Sequence, residues 1–132
     1  MKEFSDFKID HNAKDKIVLF GAGTLGKLTL IGLKNNEIRV DFFCDSDERK
    51  QGKEIEKIKI LSPDNLDNFD RNTKIFICAI YFSSIIPLLK KKGFTNFYKS
   101  TELLDNLDIE KYYKQVVIAV SYTHLTLPTN GT

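Results

Sequence analysis

Lys16-Ile17-Val18-Leu19-Phe20-Gly21-Ala22-Gly23-Thr24-Leu25-Gly26 is the stretch that decides the fold. An apolar run of β type leads into Gly-x-Gly-x-x-Gly, and a helical pattern follows from Thr24 or Leu25 to about Asn35. A second apolar run, Ile38 to Cys44, is closed by the acid Asp45. Strand, glycine loop, helix, strand and acid in this order form the fingerprint of a dinucleotide-binding βαβ unit.

Each position in that unit has a job. Gly21 allows the tight turn out of the strand, Gly23 lets a diphosphate approach bare backbone, and Gly26 lets the helix pack closely on the strand. The amides of Thr24, Leu25 and Gly26 fall in the first turn, where unpaired donors and the helix dipole favour an anion. The Thr24 hydroxyl is placed either to reach a phosphate or to cap the helix. Asp45, with Ser46 beside it, stands where a carboxylate accepts hydrogen bonds from ribose hydroxyls. Its charge favours NAD-like ligands over those with a 2′-phosphate, and its structural alternative is a cap on the turn. Ala79, Ile80 and Tyr81 follow a later strand and border the crevice where such sheets bind ligands, Tyr81 either stacking on a base or packing in a lid.

Working outward, the short run Ile58-Lys59-Ile60 alternates like a strand, and Ser46 to Glu56 reads as a polar loop. Ser62-Pro63-Asp64 opens a helix to about Asp70: serine caps, proline suits the first helical position, and the acid suits the dipole. Lys74 to Ile80 is a strand. A helix from Ser83 or Ser84 ends at Lys90-Lys91-Lys92-Gly93, where the lysines complement the dipole and glycine stops the helix. Thr95 to Lys99 is a fifth strand, and Thr101 to about Lys114 is helical. The alternation predicts a three-layer, Rossmann-like α/β fold with a parallel sheet, right-handed crossovers and strand order 3-2-1-4-5.

The chain has 132 residues, 42% apolar and 29% charged, with a net charge of +2. That size suits one domain burying roughly two thirds of its unfolded surface. The charge is too small to point to nucleic acid or a membrane surface. No apolar stretch approaches the roughly 18 residues of a membrane span. The charged start, Met1 to Lys16, lacks a signal core, so a cytoplasmic location is expected. Cys44 and Cys78 lie in apolar runs and read as buried, reduced thiols, and no metal-ligand spacing occurs.

The 20 basic and 18 acidic residues all fall at or before Lys114. The stretch Ser121-Tyr122-Thr123-His124-Leu125-Thr126-Leu127-Pro128-Thr129-Asn130 resembles a translated sequencing-adapter read-through. The expected organisation is an N-terminal segment 1–15, a nucleotide-binding domain 16–114 and a foreign tail 115–132. The natural protein is then expected to continue past about Ala119. A genuine strand at Val116 to Val120 is the alternative, and His124 receives no functional weight.

Two look-alikes fall away. Gly21 to Lys27 also reads as Gly-x-x-x-x-Gly-Lys, but Leu28 stands where a Walker A loop needs serine or threonine for magnesium. Leu19 stands where many methyl-donor sites carry an acid. No Tyr-x-x-x-Lys pair is present, His11 in the N-terminal segment reads as exposed rather than catalytic, and Lys27 either faces phosphate or is simply solvated.

Val18-Leu19-Phe20-Gly21-Ala22-Gly23-Thr24-Leu25-Gly26, Phe42-Phe43-Cys44-Asp45-Ser46-Asp47, Gln51-Gly52-Lys53, Ile60-Leu61-Ser62-Pro63 and Lys92-Gly93-Phe94 together resemble a Rossmann-like domain of bacterial glycan-modifying enzymes. Such domains precede the catalytic part of sugar acetyltransferases and accompany FkbM-type methyltransferases and glycosyltransferases. This chain departs at Gln51, where an aromatic is common, and at Lys57, where a glycine is common. The resemblance implies a nucleotide or nucleotide-sugar ligand or an accessory role, and a further transferase domain in the same natural chain. Two other readings stay open: an NAD-dependent oxidoreductase fragment lacking its catalytic half, and a non-catalytic sensor or oligomerisation module.

Overall fold

A computed structural model of the chain describes residues 1–10, 14–79 and 83–100. Ile80, Tyr81, His11, the helix expected over 101–114 and the whole tail lie outside the described residues. Six strands form one sheet: β1 (Ile17–Phe20), β2 (Phe42–Cys44), β3 (Glu54–Ile55), β4 (Ile58–Leu61), β5 (Lys74–Ile77) and β6 (Phe97–Lys99), in the order β3-β4-β2-β1-β5-β6. The expected parallel core is present. It gains one strand, β3, which pairs antiparallel with β4 at the border.

β1 is buried at all four positions because both its faces are covered. Ile17 and Leu19 face one layer, where Leu30 and Leu33 of α2 (Thr24–Asn35) pack with Phe43 and Phe76. Val18 and Phe20 face the other, with Leu66 of the 3₁₀ helix Pro63–Asn68 and Leu89 of α3 (Ile85–Lys91). Each such Leu, fully buried, contributes about 1.5–3 kcal/mol.

Three local readings shift. The segment after Ser62 winds as a 3₁₀ helix. Its Ser62 amide and hydroxyl both donate to Asn65 Oδ1 at 3.0 Å, closing the first turn tightly. The second strand begins only at Phe42, and just before it Asp41 ties down the start of β1, its Oδ2 accepting from the Ile17 amide at 2.9 Å. The hairpin β3–β4 turns at Glu56 and Lys57, with φ of 48° and 69°. That pair of left-handed residues is the backbone of a two-residue hairpin turn. Its charged side chains hid it, since glycine or asparagine is the usual signal.

The N-terminal segment packs on the sheet. Lys2 pairs with β6, its amide donating to Phe97 O and its carbonyl accepting from the Lys99 amide, both at 2.9 Å. α1 (Phe4–Asp10) then lays Phe4 and Phe7 on the sheet. Phe7 meets Phe76 at 5.0 Å and Tyr98 at 5.3 Å between ring centroids, both edge-on. Such pairs add about 0.5–1.5 kcal/mol each beyond area burial.

Candidate functional site

β1 is where the sheet reverses direction: α2 carries the chain to β2 on one side, and β5 lies on the other. Open α/β sheets leave a crevice at the carboxyl ends of the strands at such a point. Backbone bonds carry the ladder past the named strands here. Gly21 donates to Cys44 O at 2.8 Å, Cys78 donates to Phe20 O at 2.9 Å, and Asp45 donates to Leu61 O at 3.1 Å.

The glycines of the loop divide into two kinds. Gly21 has φ +121°, and a Cβ there would stand 2.5 Å from Cys78 O. A Cβ on Gly26 would collide with Gly21 O and press on the Phe43 ring at 3.2 Å. Both are required by the protein's own crowding. Gly23 is different. Its φ of −98° and ψ of −156° suit any residue. Among the described residues, a Cβ there meets only Lys50 Nζ within 4 Å, at 3.8 Å.

Gly23 is also the N-cap of α2, and no side chain caps the helix there. The first intrahelical bond of the loop is Lys27 N to Gly23 O at 3.0 Å, so the Thr24, Leu25 and Gly26 amides precede it. Thr24 is exposed in the first helical position and is not the cap. Leu25 turns its half-buried side chain onto the first core cluster, leaving its backbone to the mouth.

Asp45 faces the loop. Its Oδ2 accepts from the Ala22 amide and its Oδ1 from the Asp47 amide, both at 2.8 Å. A carboxylate offers about four acceptor directions, so these bonds leave capacity for a ligand's hydroxyls. The carboxylate thus closes the turn after β2 and ties it to the glycine loop. Ser46 follows it, exposed. Ala79 lies past the end of β5, but its side chain packs against the second core cluster, on the α3 side of the sheet. Tyr81 lies outside the described residues.

Sequence reading did not single out Lys50 or the anchoring role of Gln51. Gln51 Nε2 donates to Asp45 O at 2.9 Å, tying the loop back to the end of β2 in place of the expected aromatic. Lys50, read as part of the polar loop from Ser46 to Glu56, brings Nζ to 3.9 Å from Asp45 Oδ2. Arg49 in the same loop grips Asp47 with two side-chain hydrogen bonds of 3.0 Å and holds its pKa down at about 2. The only sequence signal for Lys50 was its place in the loop opposite the Gly stretch, and that proximity is tertiary.

Cys44 and Cys78 flank the mouth from beneath, both buried and unpaired. Burial, with the Asp45 charge adding to it, pushes the Cys44 thiol up to about 12, and burial does the same to Cys78. Neither is a nucleophile at neutral pH. Among the described residues no group of His, Cys, Asp or Glu is arranged to hold a metal, and no helix is long and apolar enough to cross a membrane.

With this geometry in view, the comparisons are specific about family and general about fold. The model of the C2185-like, N-terminal family matches residues 13–96. The chain belongs to that family. No curated protein matches this C2185-like domain. Among solved structures, RSP in complex with β-NADH aligns with TM-score 0.52 and 16% identity over 73% of this chain and 50% of that one. RSP with β-NAD+ and operator DNA aligns with TM-score 0.51 and 12% identity over 89% and 63%. UDP-D-quinovosamine 4-dehydrogenase from Vibrio fischeri aligns with TM-score 0.49 and 23% identity over 61% and 74%. The C2185-like domain thus spans between half and three quarters of these structures. At these identities the two RSP structures show a shared Rossmann-like fold and nothing finer.

Proposed function

We propose that this C2185-like domain binds a nucleotide, NAD-like or a nucleotide-sugar, across the mouth formed by Gly21, Gly23, Thr24, Leu25, Gly26, Asp45 and Ser46. The observation that carries the reading is Gly23. Neither its backbone angles nor any backbone or rigid neighbour among the described residues demands a glycine, so we read the space over it, reached only by the Lys50 ammonium among those residues, as left for a ligand. The helix amides then receive a diphosphate and Asp45 a ribose. The reading leaves out metal, nucleic acid and membrane.

The same proposal makes the domain, 16–114, a cytoplasmic accessory part of a larger transferase of surface-glycan synthesis. The resemblance to the Rossmann-like domains of such enzymes supports it, as does the family's description as N-terminal. A coding region for a transferase downstream in the natural gene is the outcome it requires.

Differential scanning fluorimetry with NAD, UDP-sugars and CoA tests the binding. A ligand at a hundred times its Kd stabilises by about 2.7 kcal/mol, a shift of several degrees. Gly23→Asn keeps a good N-cap and folds normally, yet fills the approach and abolishes the shift. No shift with any of the ligands, or an undiminished shift in Gly23→Asn, sinks the proposal.

A further inference from the structure

Lys50 is the side chain that the rest of the site does not explain. It sits on a loop that is held at every turn: the Lys50 amide donates to Asp47 O at 3.0 Å, Lys53 donates to Lys50 O at 3.2 Å, and Gly52 donates to Ile60 O at 2.8 Å. Asp47 and Gln51 are in turn tied to Asp45. The loop therefore fixes where the lysine stem starts. Its ammonium lies between the two features of the proposed site, 3.8 Å from the position of a Cβ on Gly23 and 3.9 Å from Asp45 Oδ2. The distance to Asp45 exceeds that of a hydrogen bond. The side chain is 41% exposed, so this pairing is a weak tether, worth little by itself.

We propose, resting on the nucleotide-binding reading, that Lys50 is the specificity-determining cation of this site. It leaves Asp45 to bond the diphosphate oxygens over Gly23, and so makes the domain select nucleoside diphosphates over nucleosides. The exchange is electrostatically coherent. A diphosphate at the bare Gly23 backbone carries more negative charge than one carboxylate, at similar distance from the ammonium. The departing lysine frees a lone pair of Asp45 for the ribose. The helix amides supply donors without net charge, and among the described residues Lys50 is the cation whose Nζ lies within 4 Å of Gly23's open side. A charge-assisted bond of this kind is worth about ten-fold or more in affinity.

The test is isothermal titration of the wild type, Lys50→Met and Lys50→Arg with two matched pairs, ADP with adenosine and UDP with uridine. The wild type is expected to prefer one diphosphate to its nucleoside. Lys50→Met is expected to weaken that diphosphate about ten-fold or more, leave the nucleoside unchanged and flatten the salt dependence, with Lys50→Arg largely restoring it. Equal affinity of wild type and Lys50→Met for the diphosphate overturns this inference while leaving the binding site standing. So does a loss of the same size for diphosphate and nucleoside, which marks Lys50 as structural. Failure of the wild type to bind either pair overturns the nucleotide-binding reading and this inference with it.

Discussion

Two loops meet at the mouth of the sheet, and they are built on opposite principles. The loop Gly21–Gly26 is held by crowding: backbone presses on backbone, with no room for a methyl group at either end. The segment Asp45–Leu61 is held by polar ties: Asp45, Asp47 and Gln51 bond the chain to itself, and the charged ends point outward. The first makes a rigid cradle for an anion. The second presents charges that can change partners without disturbing the fold. A binding site needs both, and substitutions should separate them.

The largest effect belongs to the crowded loop. Gly26→Ala places a methyl against Gly21 O and the Phe43 ring, and neither neighbour is a flexible side-chain end. A loss of about 3 kcal/mol or more is expected in urea unfolding, or no folded protein at all. A near-neutral Gly26→Ala would break the contrast outright. Asp45→Ala comes next. It strips the acceptor from the Ala22 amide, and leaving a half-buried amide unpaired costs about 1–3 kcal/mol by the same measurement.

The hairpin turn gives a smaller change of opposite sign. Glu56 and Lys57 are both left-handed, a conformation costing about 1 kcal/mol or more for residues with a Cβ. Lys57→Gly should therefore stabilise by about 0.5 kcal/mol, the gain being partly offset by the greater unfolded freedom of glycine. The smallest effect is at Asp47. Its carboxyl is held from 3.8 down to about 2, first by hydrogen bonds from Arg49. A depressed folded pKa gives a contribution present above pH 3.8 and lost as pH falls toward 2. In Arg49→Ala, carboxyl NMR titration should find the Asp47 pKa raised part of the way toward 3.8, because the backbone amide of residue 49 still donates to it. The stability difference from wild type should vanish at about pH 2.

Much of the architecture could be read from residue pattern. β1 and β5 are continuous apolar runs because both faces are buried, and a pattern that simple survives any tertiary detail. The glycine loop was readable because Gly21 and Gly26 answer local steric demands that the motif encodes. α1 was not foreseen: Phe4 and Phe7 are scattered among charges, and their packing depends on Tyr98 and Phe76, far along the chain. The 3₁₀ winding after Pro63 and the glycine-free turn at Glu56-Lys57 are choices between near-equal local conformations, settled by neighbours. Within the candidate site, the place of Asp45 at the end of the second strand, and its capping of the turn there, could be read from the βαβ pattern; its bond to the Ala22 amide could not. The position of Lys50 could not, because its nearness to Gly23 is set by the bonds that fold the loop back on Asp45.

The borders of the sheet carry one more consequence. A bare edge strand is a template on which a passing copy can grow strand upon strand. Here Lys2 occupies the two backbone partners that β6 offers at Phe97 and Lys99. The opposite border is a two-residue strand that turns away at once through Glu56 and Lys57. Among the described residues, fibre-like self-association is left without a foothold at either side. Deleting Met1 to Phe7 would uncover such a template and the aromatic face beneath it together.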